Sequence, residues 1–274
     1  MSQITTERDG AVLIATIANP PHGYMDAATE PELTAVLDEA EADDAVRAVV
    51  LTGGLPDVFV RHYDVGVLET LGRDLAARGL EFDTSRPVPE SPYHVCLRRI
   101  ATMPKGFVAA INGTAMGGGF ELALACDIRL AKNGPYWLGL PEINVGLLPG
   151  AGGTQRLARL IGEGRALELI LQGRTLSPAD AAAWGLVGQC VDGDVVEAAL
   201  AIAHNLAAKP PVALVHIKRL IRGATSRPLD DGLADERTLF CDTVIQDEAI
   251  ALMADLNSGA RDIRSTPPDD PDTA

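Results

Sequence analysis

Two glutamates beside glycine-rich segments are the residues in this chain whose types and spacing most strongly suggest chemistry. Glu121 follows three consecutive glycines in NGTAMGGGFELALACDIRL, residues 112–130, and precedes an almost wholly apolar run. Glycine can turn its backbone N–H outward, and the first N–H groups of a helix have no partner within the helix. Such donors suit an oxygen that develops negative charge. The sequence therefore predicts a small pocket where Glu121 faces exposed backbone donors.

The second glutamate, Glu142, lies in LGLPEINVGLLPGAGGTQRL, residues 138–157, just before another glycine-rich turn into a helix. Two carboxylates beside amide donors would form an acid/base pair. Spacing alone leaves other interpretations open. A glycine triplet also marks a tight strand-to-helix turn, and the helix dipole favours an acidic residue in the first helical turn.

The elements around these residues alternate between strand and helix. Short β-branched runs at 11–20 and 47–53 flank a segment with helical spacing of apolar residues, and KGFVAAING, residues 105–113, has the content of a buried strand. The glycine segment then leads into a helix at about 119–126. This alternation predicts a layered α/β fold.

Two further regions are predicted to contain helices. Residues 66–103 read as a mobile, partly helical excursion, either a functional lid or a tolerated surface loop. Short helices follow, one of them capped by Ser177, and the pattern becomes wholly helical from about residue 194, with a break at Pro210 and Pro211. We expect one long helix over residues 229–257.

Composition and charge exclude several classes of function. The net charge of −15 disfavours binding to nucleic acid or to anionic membranes. The four cysteines are widely scattered, which indicates neither a disulfide framework nor a zinc site. The start of the chain lacks the pattern of a signal peptide, and no apolar run reaches the length of a membrane span. We therefore expect a cytoplasmic protein with no metal.

Three ordered segments resemble the crotonase superfamily, the enoyl-CoA hydratase/isomerase family. They are PKGFVAAINGTAMGGGFELALACDIRLA, PEINVGLLPGAGGTQRLARLIG and ALELILQGRTLSPADAAAWGLVGQCV. The resemblance extends from about residue 4 to about residue 260. The composition of the end of the chain, STPPDDPDTA, predicts a disordered tail over 263–274. The resemblance implies an α/β core built as a spiral of ββα units over residues 1–193 and a C-terminal helical trimerisation region over 194–262. It also implies a homotrimer or a dimer of trimers.

The resemblance also implies an activity. Members of the family bind acyl-CoA thioesters and stabilise an enolate-like oxygen with two backbone amides, and the matching positions are Tyr63 and Gly118. The positions that match the two glutamates of the hydratase branch are Glu121 and Glu142. The expected reaction is addition of water to a 2-enoyl-CoA, with no cofactor beyond the CoA of the substrate. The alternatives are an isomerase or hydrolase of the same fold, or an acyl-CoA binder without catalysis.

Departures from the family pattern concern the acyl pocket. DVFVRHYDVG, residues 57–66, has Arg61, His62 and Tyr63 where many members have small residues, followed by Asp64, which keeps the acidic position. NPPHGYMDA, residues 19–27, replaces a segment that often reads Asn-Ala-Leu. The residues predicted to bind substrate are therefore Tyr24, Met25, His62, Asp64 and Gly117. The basic residues Arg61, Arg98, Arg99 and Lys105 lie near these motifs, but none is assigned to the CoA phosphates.

Overall fold

A six-stranded sheet forms the centre of the computed structural model, which describes residues 2–264. The strands of the protein are β1 (Ile4–Asp9), β2 (Val12–Ile17), β3 (Ala48–Gly53), β4 (Val58–Val60), β5 (Gly106–Ile111), β6 (Thr114–Met116), β7 (Ile128–Lys132), β8 (Leu138–Gly139), β9 (Thr175–Leu176) and β10 (Gln189–Val191). The order of the six-stranded sheet is β1-β2-β3-β5-β7-β10, antiparallel between β1 and β2 and parallel elsewhere. A second, four-stranded sheet has the order β4-β6-β8-β9.

Helices cover the sheets and continue along the C-terminal part of the chain to Asn257. They are α1 (Thr29–Ala42), α2 (Val65–Ala77), α3 (Pro92–Thr102), α4 (Gly118–Ala125), α5 (Gly153–Ile161), α6 (Glu163–Leu171), α7 (Pro178–Trp184), α8 (Val195–Ala207), α9 (Pro211–Gly223), α10 (Leu229–Val244) and α11 (Asp247–Asn257). A short 3₁₀ helix spans Glu142–Val145. The predicted α/β class is confirmed, as is the Ser177 cap, whose hydroxyl accepts from the N–H of Asp180.

The central parallel strands are buried on both faces, as their sequences indicate. All six residues of β5 are buried, and Val50 of β3 pairs in register with Val108 of β5. Continuous apolar runs of this kind are typical of strands that helices cover on both sides. Helix α4 follows this layer, and all eight of its residues are buried. Glu121 is thereby carried into the core of the protein.

The expected long helix over 229–257 is wrong, because the structure has two helices there. Gln246 adopts an extended backbone conformation (φ −71°, ψ 135°) between α10 and α11. Asp247 and Glu248 then occupy the first turn of α11, where acidic side chains interact favourably with the helix dipole. The apolar periodicity continues across this break, which is why the pattern suggested one helix.

Residues 66–103 contain all of α3 and all of α2 except its first residue, and the chain between them, 78–91, has no regular helix or strand. Ser91 begins α3 in a capping box with His94. The mobility predicted for this region stays a prediction. Of the tail predicted to be disordered, residues 265–274 lie outside the described residues.

The predicted boundary between residues 193 and 194 coincides with a helix start, since Asp194 caps α8 through the N–H of Val196 at 2.8 Å. Helix α8 nevertheless packs on the sheet, because its buried residues share a cluster with residues of β2, β3, β5 and β7. No single helix in residues 2–264 is long and apolar enough to cross a membrane. Helices α8 and α9 reach that length only together, across a bend of 110°.

Candidate active site

Glu121 joins the two glycine-rich segments. Its side chain is 2% exposed, and its Oε1 accepts hydrogen bonds from the N–H groups of Ala151 and Gly153, each at 2.7 Å. Ala151 lies in the turn that precedes α5, and Gly153 is the first residue of that helix. At the other segment, Gly117 (φ 49°, ψ −129°) precedes α4 in a conformation that glycine adopts readily. The structure thus brings residues 30 positions apart in sequence to one carboxylate.

The carboxylate of Glu121 experiences opposing influences. Burial raises the pKa of Glu121, and the bonds from Gly153 and Ala151, with the charges of Arg156 and His94, act in the opposite direction. The Ala151 peptide is itself held in place, because the carbonyl of Gly150 accepts from His94 Nε2 at 2.8 Å. Glu121 is therefore fixed by rigid main-chain donors rather than by a flexible cation.

Glu142 has a contrasting environment at the start of the 3₁₀ helix. Both of its carboxylate oxygens are buried, and within residues 2–264 neither has a hydrogen-bond partner. Burial raises the pKa of Glu142 to about 7, and the charge of Glu121 makes a smaller contribution in the same direction. A carboxyl group with this pKa can hold or release a proton near neutral pH, which is the property required of a general acid or base.

The raised pKa of Glu142 predicts a specific pH dependence of stability. The folded-state value of about 7 exceeds the reference value of 4.5, so between these pH values the folded state binds more protons than the unfolded state. The free energy of unfolding should therefore fall as the pH rises through this window, and Glu142→Gln should remove that contribution. Partial exposure of the residue limits the effect to about 1–2 kcal/mol.

Denaturant unfolding of the wild type and of Glu142→Gln, below and above the window, measures this effect. The variant should gain stability relative to the wild type on the alkaline side. An equal difference between the two proteins at both pH values would contradict the prediction.

Tyr63 and Gly118 bring two unpaired backbone N–H groups together. A Cβ placed on Gly118 would lie 3.3 Å from the Tyr63 nitrogen. The parallel bridge between Met25 and Tyr63 uses the N–H groups of Met25 and Asp64, which directs that of Tyr63 to the other side. Gly118 is the first residue of α4. Within the described chain neither N–H donates to a protein acceptor, so both are available to an oxygen of a ligand.

Two tyrosines support this pair of donors. The hydroxyl of Tyr93 donates to the carbonyl oxygen of Gly118 at 2.5 Å, and the Tyr63 hydroxyl donates to Glu30 Oε1 at 3.0 Å. Burial, together with the bond to Glu30, raises the pKa of Tyr63 well above its usual value. Both phenols therefore stay protonated and act as donors to the protein.

Glu30 is the residue that sequence reasoning missed. Its side chain lies on the buried face of α1, where it is 8% exposed. The sequence did contain a signal in the spacing of this residue from the apolar residues of the helix. Glu30 precedes Leu33 and Leu37 by three and seven residues and so shares their helical face. An acidic residue in a first helical turn is common enough to hide that signal.

A cavity of about 670 Å³ unites these groups. This volume suits a small organic ligand. Helix α2, which has no buried residue, contributes Val65, Leu68 and Leu71 to one wall. Among the described residues that line the cavity, none is lysine or arginine. The polar and aromatic side chains in the lining are those of Glu30, His62, Tyr63, Ser91, Tyr93, His94, Glu121, Glu142 and Asn144.

A larger cavity of about 840 Å³ lies against α9 and contains neither Glu121 nor Glu142. It is lined by cationic and aliphatic side chains, with Asp127 as the carboxylate. Asp127 is paired with Lys218 at 2.8 Å and with Arg222 at 2.9 Å. The smaller cavity is therefore the candidate active site.

Only some of the other residues predicted to bind substrate line this cavity. His62 and Gly117 line the cavity. Met25 is fully buried in the core, and Tyr24 stacks on His62 with ring centroids 4.4 Å apart; neither lines the cavity. Asp64 caps α2 by accepting from the N–H of Gly66 at 2.7 Å. Direct contact of Tyr24, Met25 and Asp64 with an acyl group therefore has no support in this geometry.

The basic residues near the motifs also have partners within the protein. Arg98 pairs with Glu90, and Arg99 pairs with Asp38 and Glu41. Lys105 donates to the carbonyl oxygens of Ala40 and Asp43, and Arg61 donates to that of His22.

Comparison with known proteins gives a consistent result. The sequence model of the enoyl-CoA hydratase/isomerase family matches residues 7–254. The chain is 32% identical to a short-chain-enoyl-CoA hydratase of Clostridium acetobutylicum over 88% of each chain. It is 34% identical to the 2,3-dehydroadipyl-CoA hydratase of Escherichia coli, over 88% of this chain and 89% of that protein. The crystal structure of an enoyl-CoA hydratase from Bacillus anthracis superposes with a TM-score of 0.83 at 29% identity, covering 94% of this chain and 96% of that one.

Proposed function

Because this chain belongs to the enoyl-CoA hydratase/isomerase family, we propose that the cavity around Glu121 and Glu142 catalyses hydration of a 2-enoyl-CoA thioester. The protein is an enzyme of this family with the crotonase fold and an enoyl-CoA hydratase-like function. The observation that carries the residue assignment is that two buried carboxylates line the same cavity as two unpaired backbone N–H groups.

The first step is polarisation of the thioester. Its carbonyl oxygen accepts from the N–H groups of Tyr63 and Gly118, which withdraws electron density from the conjugated double bond and leaves the β-carbon electrophilic. The same donors stabilise the enolate oxygen that forms when water attacks. Donors held rigidly in a site with little water stabilise such charge more effectively than solvent does.

The two glutamates divide the proton transfers. Glu121 removes a proton from water as its oxygen bonds to the β-carbon, and Glu142 gives a proton to the α-carbon of the enolate. The product is a 3-hydroxyacyl-CoA, and the enzyme returns to its starting state when the proton on Glu121 is passed to Glu142. A pKa of about 7 for Glu142 supports its role as the proton donor. No metal or organic cofactor takes part in this scheme beyond the CoA of the substrate.

Assembly as a homotrimer or a dimer of trimers belongs to the same proposal. Large apolar side chains are exposed along α9, α10 and α11, which is typical of a surface that another protein covers. Examples are Ile217, Ile221, Phe240 and Ile250, each more than half exposed. The proposal includes a cytoplasmic location without nucleic-acid or membrane partners, on the basis of the sequence pattern and the net charge of −15.

Product analysis in ¹⁸O-labelled water tests the reaction. With 2-butenoyl-CoA, hydration incorporates labelled oxygen at the β-carbon and yields 3-hydroxybutyryl-CoA. With a 3-enoyl-CoA, an isomerase would move the double bond without taking up label at that carbon, and a hydrolase would release free CoA. Release of CoA, or isomerisation without hydration of either substrate, would contradict the proposed function.

A further inference from the structure

The cavity contains a third buried carboxylate, Glu30, which the proposed hydration does not use. Glu30 lines the same space as Glu121 and Glu142 and is 8% exposed. Carboxylates are rarely buried to this extent unless they are paired or functional. Its position in the first turn of α1 does not explain the burial, because a favourable interaction with the helix dipole is equally available to an exposed side chain.

The protein satisfies only part of the hydrogen-bonding capacity of Glu30. Its Oε1 accepts from the hydroxyl of Tyr63 at 3.0 Å. Within residues 2–264, no lysine, arginine or histidine forms an ion pair with its carboxylate. A carboxylate offers about four lone-pair sites, so the cavity side of Glu30 retains acceptors for a ligand.

The bond between Tyr63 and Glu30 determines which kind of ligand group fits. The single O–H of Tyr63 is already donated to Glu30, so the phenol does not offer that hydrogen to substrate. Toward the cavity the pair presents acceptors only, namely carboxylate and phenolic oxygens. Acceptors recognise O–H or N–H groups, and they do not favour another carboxylate.

The charged residues of the cavity also disfavour an acyl group that carries a carboxylate. Three glutamates line the cavity, of which Glu142 can hold a proton near neutral pH because its pKa is raised to about 7, and no lysine or arginine among the described residues lines it. The two histidines of the lining each have a bond to a backbone carbonyl: His62 Nδ1 to Tyr63 at 2.8 Å, and His94 Nε2 to Gly150 at 2.8 Å. An acyl chain that ends in a carboxylate would therefore meet the like charge of Glu30, with no lysine or arginine in the described lining to neutralise it.

We propose that Glu30, held by Tyr63, makes the enzyme selective for acyl groups that carry a hydroxyl or another hydrogen-bond donor, and against acyl groups that end in a carboxylate. Glu30 is a specificity-determining residue in this scheme and takes no part in proton transfer to the α- or β-carbon. The inference rests on the proposed function for the identity of the reaction, but its recognition step can be measured without turnover.

The test compares acyl chains of one length. The substrates are 2-hexenoyl-CoA, its 4-, 5- and 6-hydroxy derivatives, and the derivative with a terminal carboxylate. A hydrogen bond to a charged group should give one hydroxy isomer at least about tenfold higher kcat/KM than the parent compound. In Glu30→Leu, the kcat/KM of this hydroxy isomer should fall to about that of the parent compound. Glu30→Gln should raise kcat/KM for the carboxylate-bearing substrate by about tenfold relative to the parent.

Glu39→Gln is the matched control, because it removes the same charge from an exposed position on the same helix. In this variant, the kcat/KM of each derivative relative to 2-hexenoyl-CoA should equal the wild-type value. Equal kcat/KM for every hydroxy isomer and the parent in the wild type, or an unchanged preference in Glu30→Leu, would overturn the assignment of Glu30.

A binding measurement separates failure of this inference from failure of the proposed function. Calorimetry with saturated hexanoyl-CoA and its hydroxy derivatives reports recognition without any reaction. If the wild type hydrates none of the 2-enoyl thioesters, the proposed function fails, and the calorimetric preference alone decides whether Glu30 recognises a donor. If hydration occurs and neither kcat/KM nor the dissociation constant depends on the hydroxyl group, only the role of Glu30 is refuted.

Discussion

Glutamine at position 121 is expected to lower kcat for hydration by a factor of about 10²–10⁴, the usual contribution of a general acid or base. The substitution keeps the shape of the side chain. The amide oxygen of glutamine can still accept the bonds that Ala151 and Gly153 donate to Glu121 Oε1. The change therefore removes the basic carboxylate and retains the architecture around it.

Steady-state kinetics on 2-butenoyl-CoA, with thermal unfolding as a check on folding, measures this effect. Glu163→Gln is a suitable control, since it removes one carboxylate from an exposed position in the first turn of α6. It should have wild-type kcat. A folded Glu121→Gln protein with near wild-type turnover would show that another group takes the proton from water.

Gly118→Pro is expected to lower kcat by a further factor of about 10²–10³ relative to Gly118→Ala, because proline lacks the N–H proposed to bind the thioester oxygen. Proline is compatible with the first position of a helix, where the N–H has no partner within the helix. The difference in kcat between the two variants, rather than the kcat of either one alone, measures the effect of the missing hydrogen bond.

Alanine is required as the reference because any side chain at position 118 is crowded. A Cβ there would lie 3.0 Å from the Cβ of Tyr63, so both variants share this steric cost. Kinetics and thermal unfolding of the pair should show similar stabilities and different turnover. Equal kcat for the proline and alanine variants would remove Gly118 from the proposed oxyanion-binding pair.

The sequence predicted the core of the fold because its local signals and its tertiary structure agree. The β-branched run of β3 and the apolar segment of β5 are strands, and Gly117 leads directly into α4, which begins at Gly118, as their composition indicates. The position of Glu121 inside an apolar helix was sufficient to mark it as unusual, and the structure shows that backbone donors compensate for its burial.

Other features depend on contacts that no local pattern contains. The donors from Ala151 and Gly153 reach Glu121 only because α5 packs beside α4. Tyr24 and Met25 were predicted as pocket walls from their place in a motif, but the direction of each side chain depends on the bridge between Met25 and Tyr63 and on the stacking against His62. The role of Glu30 required its tertiary partner, Tyr63, to be known.

The wall formed by α2 has a consequence for how this enzyme could acquire new substrates. Its cavity-facing residues Val65, Leu68 and Leu71 belong to a helix without a buried residue, so exchanging them should cost little folding free energy. The donors proposed for the thioester oxygen belong to the main chain and survive such exchanges. A combinatorial library confined to these three positions should therefore vary the selectivity for acyl groups while the proposed catalytic groups stay unchanged. Directed evolution of new substrate preferences should begin with this helix.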